Sequence, residues 1–212
     1  MTVPTHTQEQ LIEMALDVSP STGICAPGQV LSVLETLSDA IHKFVREARQ
    51  IHHCAVTVKI LTFAGDVVEE TSGFESVETL HLPQLTIRDG GTNLGGALDK
   101  AMDDVEERYV LLRSTGVEAF KPWIIVFTDG MPNVNTAPRF EDRLKEMIKR
   151  RKVLLLPVAV GGYAAYPELE RLSPNQPPIV IDPNDPDSTS FAEFFDFITR
   201  SIESGQDPTF LG

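Results

Sequence analysis

"PWIIVFTD", residues 122–129, decides the fold. Trp123 to Phe127 are all large and apolar, whereas a strand wetted on one side would alternate apolar with polar residues. The stretch therefore predicts a strand covered on both faces, as in a parallel sheet, ending on Asp129 and Gly130. Its surroundings agree. Upstream, Leu94 to Leu112 carries apolar residues at 94, 97, 98, 101, 102, 105 and 109, a helical rhythm. Downstream, a helix at 138–151, opened by Pro138 with Glu141 and Asp142 in its first turn, leads to a second buried strand, "VLLLPVAV", at 153–160. A short helix near 165–173, the strand "PPIVI" and a helix at 190–204 follow, the last with Phe191, Phe194, Phe195, Ile198 and Ile202 as one stripe.

Toward the N-terminus the alternation continues. A strand at 11–18 precedes an amphipathic helix at 28–50, and "CAVTVKILTFA" at 54–64 is a strand rich in β-branched residues. The turn "AGD" then leads into "VVEE", an antiparallel hairpin partner. Alternating strands and helices give an α/β class: an open, doubly wound, mostly parallel sheet with one antiparallel edge strand and helices on both faces.

With 212 residues and 42% hydrophobic content the chain is expected to make one domain over 9–204, flanked by a flexible N-terminus at 1–8 and a C-terminal tail at 205–212. Eighteen Lys plus Arg against 31 Asp plus Glu give a formal charge of −13, which repels nucleic acid and anionic membrane surfaces alike. The first ten residues lack the basic and apolar regions of a secretory signal, and "VLLLPVAV" is too short to span a bilayer, so a cytoplasmic location without membrane insertion is expected. Cys25 and Cys54 are expected as free thiols.

Three segments put oxygen donors at strand or helix ends: "DVSPS" at 17–21, "GGTNLGG" at 90–96 and "FTDG" at 127–130. In an open α/β sheet, ligands sit beyond the carboxyl ends of the strands where strand order reverses. Asp17 ends the first strand and Asp129 the fourth, counting the hairpin strand as third, so the two acids should face one another there. Alternate residues of an extended segment share a side, so Asp17, Ser19 and Ser21 can converge, with Pro20 holding Ser19 extended. Thr92 adds a hydroxyl from a loop in which Gly90 and Gly91 let the backbone come close. An all-oxygen set of Asp17, Ser19, Ser21, Thr92 and Asp129 suits Mg²⁺ or Mn²⁺, with Ca²⁺ less favoured. Each residue alone also serves as an ordinary turn or cap; their coincidence at one edge favours a metal site.

These residues resemble the metal-ion-dependent adhesion site of von Willebrand factor type A domains, whose signature is DxSxS, then Thr, then Asp, on alternating β and α elements. The resemblance spans about residues 9–204, and the compact length with "SFAEFFDFITRSI" is most similar to bacterial stand-alone domains of the tellurium-resistance TerY type. Such proteins usually read DxSGSM, where this chain has Pro20 and Thr22. The resemblance implies direct binding of the cation by Ser19 and Ser21, and binding by Thr92, Asp17 and Asp129 directly or through water. It also implies an open metal position for the Asp or Glu of a partner protein, and partners such as a co-encoded kinase, a PP2C-type phosphatase or a TerD-like protein in a stress response.

The loops at 20–27, 88–95, 130–137 and 161–166 would supply specificity, with Met131, Asn133, Tyr163 and Tyr166 as candidate contacts. The competing class is a Mg²⁺-dependent phosphatase or phosphotransferase using Asp17. It needs a second acid where Ser19 stands and a nearby lysine, and the catalytic signatures GxSxG, GxxxxGK and HExxH are missing, so a binding module rather than an enzyme is the expectation.

Overall fold

β1 (Gln8–Asp17) is buried along nearly its whole length and forms the sheet's centre, parallel to β2 (Ala55–Phe63) on one side and to β6 (Trp123–Thr128) on the other. The computed structural model describes residues 8–25, 28, 31–133, 139–162, 164–173, 175–182, 185 and 188–209; all but one residue of the expected flexible 1–8 segment lies outside them. Beyond β6 come β7 (Leu154–Val160) and β8 (Ile179–Ile181), both parallel. Beyond β2 come β3 (Val67–Glu69) and β4 (Glu75–Ser76), both antiparallel to it. The order β3-β2-β1-β6-β7-β8 reverses between β1 and β6. The fold is therefore the expected mostly parallel α/β sheet, except that the antiparallel edge is two short pieces and a two-residue strand, β5 (Glu118–Ala119), adds to β1.

The helices follow from caps and periodicity. α1 (Val33–Ala48) starts five residues later than expected because Ser32 and Glu35 close a capping box there, the Glu35 carboxylate accepting from the Ser32 amide at 2.8 Å. Leu31 is thus left exposed ahead of the helix. α2 (Leu94–Thr115) is capped by the Asn93 side chain and stops at Gly116, which is left-handed at φ 77°. α3 (Arg139–Lys149) and the short α4 (Tyr166–Leu172) follow, and α5 (Phe191–Ser204) opens on a second capping box, Ser190 with Glu193.

Two apolar layers sandwich the sheet. Leu37, Ile41 and Phe44 of α1 meet Phe191, Phe194, Phe195, Ile198 and Ile202 of α5 on one face, where Phe127 stacks edge-on against Phe194 at 5.5 Å. Leu94, Leu98, Met102 and Val105 of α2 join Phe140, Leu144 and Leu169 on the other.

That second face also buries a charge cluster. Glu13 of β1 and Lys59 of β2 are register partners beneath α2. Lys59 nevertheless turns away to Glu69, 2.6 Å, and Asp104, 2.9 Å, while Lys100 pairs with the same two acids. Two lysines thus balance two carboxylates. Glu13, fully buried, has neither carboxyl oxygen in a hydrogen bond among the described residues. Burial, then the charge of Asp104, push its pKa well above the ordinary range, so a neutral acid is what the site can hold.

Candidate metal centre

β1 runs out at Asp17, whose carboxylate is buried and held from two sides. The Ser19 amide donates to Oδ1 at 2.9 Å and the Thr128 hydroxyl to Oδ2 at 2.6 Å. Ser19 is extended, φ −63° and ψ 161°, as a residue before proline should be. Alternation then ends: Pro20–Gly23 winds into a single 3-10 turn closed by Thr22, whose hydroxyl donates to the Ser19 carbonyl at 2.8 Å. The turn, rather than strand alternation, brings Ser21 back, with its Oγ 3.2 Å from that of Ser19 and donating to Asp129 Oδ1 at 2.9 Å. Asp17, Ser19, Ser21 and Asp129 thereby form one chain of contacts across the β1/β6 crevice.

Thr92 reaches the same rim from the loop before α2. Asn93, not Thr92, caps that helix, accepting from the Gly96 amide at 3.0 Å, so the Thr92 hydroxyl is released from capping. It lies 3.7 Å from where a side chain on Gly130 would begin. Two devices hold the loop. Arg88 donates to the Thr62 hydroxyl at 2.6 Å and its backbone amide to the Val18 carbonyl at 2.8 Å. Asn133 then joins the loop to the segment after Asp129: its side-chain oxygen accepts from the Thr92 amide at 2.8 Å, and its own amide donates to the Thr92 carbonyl at 3.3 Å. Gly91, at φ 94°, makes room for it, since a Cβ there would meet Asn133 Oδ1 at 2.2 Å.

The electrostatics suit a cation. Burial raises the pKa of Asp17 against the hydrogen bonds from Thr128 and Ser19. Burial likewise raises that of half-buried Asp129, to which the charge of Asp17 adds. Among the described residues no lysine, arginine or histidine pairs with either acid. Two desolvated carboxylates beside three hydroxyls make an oxygen donor set of the kind hard divalent ions take. Among the described residues no three His, Cys, Asp or Glu side chains gather into a metal cluster, so the donor set relies on its hydroxyls.

Of the further loop residues, Met131 and Asn133 are exposed at the rim, Tyr166 begins α4 half-buried, and Tyr163 lies outside the described residues, as do parts of the loops at 20–27 and 130–137. Sequence reading missed Thr128 as the support of Asp17. It also gave Asn133 no bracing role, although the glycines facing it were visible. Neither Cys25, exposed, nor Cys54, buried, is in a disulfide.

A family model described as von Willebrand factor type A domain matches residues 14–196. No curated protein sequence matches the chain. Among solved structures, BatB from Bacteroides thetaiotaomicron is similar over 92% of this chain and 97% of that one, at 17% identity and TM-score 0.60. The PilB minor pilin of Streptococcus sanguinis matches 94% of this chain and 62% of its own, at 12% identity and TM-score 0.63. Proximal thread matrix protein 1 of the mussel byssus, in a structure with a zinc-occupied MIDAS motif, matches 93% and 46%, at 17% identity and TM-score 0.61. The chain thus spans about half the length of the mussel protein and three-fifths of the pilin.

Proposed function

Because this chain belongs to the von Willebrand factor type A domain family, we propose that it is a protein-recognition module that captures a partner's Asp or Glu carboxylate through a divalent cation held by Asp17, Ser19, Ser21, Thr92 and Asp129. One observation supports the reading: two buried or half-buried acids, neither with a basic partner among the described residues, meet the hydroxyls of Ser19 and Ser21 at the point where strand order reverses, with Thr92 close by on the neighbouring loop. The cation is Mg²⁺ or Mn²⁺ on the chemistry of the donors; the mussel protein's MIDAS motif holds zinc, another divalent ion. Hydroxyls neutralise little of the metal's charge, leaving a strong Lewis acid for an incoming carboxylate.

The phosphatase alternative is disfavoured by Asp17 itself. Only 2% exposed and accepting from Ser19 and Thr128, its carboxylate has no open line to an incoming phosphorus. A bacterial, cytoplasmic stress-response role of the tellurium-resistance type, with a co-encoded kinase, PP2C-type phosphatase or TerD-like protein as partner, belongs to the same proposal. It is supported by the sequence resemblance. Among the described residues no helix is long and apolar enough to cross a membrane.

The immobilised chain is expected to retain its partner in Mg²⁺ and release it to a chelator, and Thr92→Ala to retain almost none. Retention indifferent to chelator and substitution alike would overturn the proposal. Asn133→Ala should lower Mg²⁺ affinity about tenfold by freeing the Thr92 loop. Because the Asn133 side chain also accepts from the Thr92 amide, the metal-free melting temperature should fall by about 2–4 °C. Calorimetric titration beside a thermal melt separates the two effects.

A further inference from the structure

We infer that the rim around this site selects a carboxylate carried between aliphatic side chains, on a partner surface that is otherwise not acidic; the inference rests on the metal-dependent reading above. Among the described residues, seven large apolar side chains are exposed. Three are consecutive on α2, Tyr109 to Leu111, and three of the other four, Ile24, Ile87 and Met131, belong to the segments that carry or brace the site. Ile24, 66% exposed, immediately follows the turn that carries Ser21, and Met131, 56% exposed, follows Asp129 by two residues. Ile87 lies against the same turn, since a Cβ on Gly23 would meet its Cγ1 at 3.0 Å. Leu31 adjoins Ser32, which bridges Cys25.

Exposed apolar residues scattered singly need no explanation, but Ile24 and Ile87 at the Ser21 turn with Met131 two residues past Asp129 put an apolar fringe beside one polar centre, the pattern of a recognition surface. Charge sharpens it. Residues 20–25 and 130–133 contain no charged side chain, on a chain of net charge −13. Arg88, beside Ile87, is engaged by Asp66 and Glu70 and offers the rim little free positive charge. A bound cation is then the rim's one attraction for an acid. A second acid on the partner would be repelled by exposed Asp89 on the same rim and by the negative body of the chain, whereas flanking aliphatic groups would lose water against Ile24 and Ile87.

Three capped peptides of equal length test this by amide chemical-shift titration of the Mg²⁺-loaded chain, with central sequences Ile-Asp-Ile, Ser-Asp-Ser and Ile-Asn-Ile. Ile-Asp-Ile is expected to bind about tenfold more tightly than Ser-Asp-Ser. Ile-Asn-Ile should not bind, and the advantage of Ile-Asp-Ile should vanish in the Ile24→Ser/Ile87→Ser variant while its Mg²⁺ affinity stays unchanged. Equal binding of the two aspartyl peptides, an advantage surviving in the double variant, or no binding by any peptide to the metal-loaded chain would overturn the inference. Failure of the chain to take up Mg²⁺ at all would instead remove the reading beneath it. A Mg²⁺-dependent dimer, seen by sedimentation and lost in the double variant, would assign the rim to a second copy and overturn it too.

Discussion

Mg²⁺ at a hundred times its dissociation constant should raise the melting temperature by about 5–10 °C, and Asp17→Ala should abolish that rise. Binding to the native state alone adds about 2.7 kcal/mol at that ratio, and a chain of this size shifts by about 2–4 °C per kcal/mol. The variant loses a buried acid that orients both Ser19, through its amide, and Thr128. Without metal its effects oppose one another: two donors lose their acceptor, while the repulsion between Asp17 and Asp129 disappears. The informative quantity is therefore the difference between melts with and without Mg²⁺, and Asp129→Ala should shrink it as well. A rise of undiminished size in Asp17→Ala would place the ion elsewhere.

The charge cluster under α2 should give opposite signs at two neighbouring positions. Lys59→Met leaves Asp104 buried beside Lys100 alone and is expected to cost about 3 kcal/mol, the low end for breaking a buried pair because Lys100 still reaches Asp104. Glu13→Met removes a buried carboxyl that has no hydrogen bond among the described residues and is expected to stabilise by about 1–3 kcal/mol near neutral pH. The pH dependence fixes the sign. Unfolded, Glu13 loses its proton near 4.5; folded, with Lys59, Lys100, Asp104 and Glu69 as its charged neighbours, it does so at higher pH. Between those values the native state holds one more proton. Stability contributed by Glu13 is thus complete below about 4.5 and is lost as pH rises through the folded value, by at most about 1.4 kcal/mol per pH unit. Denaturant melts should show the gain of Glu13→Met growing with pH over that interval. A pH-independent difference would mean that Glu13 is already paired.

The path of the sheet was legible because its long strands are mostly apolar while each helix has a polar face, and that alternation with right-handed crossovers leaves few topologies. From it followed the meeting of Asp17 and Asp129, since the reversal of strand order is a property of the winding. Less visible was how the loops between them close. Ser21 arrives through a 3-10 turn that Thr22 completes, and nothing in the spacing of serines distinguishes that from an extended strand. α1 starts at Val33 because of a reciprocal pair, Ser32 and Glu35, whose signal lies inside a stretch that also scans as helix. Glu13 and Lys59 were readable as polar breaks in apolar strands. Their separation despite adjacent register depends on Asp104, ninety-one positions from Glu13, and so on how α2 lies over the sheet.

Both margins of the sheet are short: β3 and β8 are three residues each. Strands this short give a stray strand little length to pair with, one of the ways sheets avoid edge-to-edge association. On the proposed reading, contact with a partner would then run through the tip of the sheet, at the strand ends, rather than along its edges.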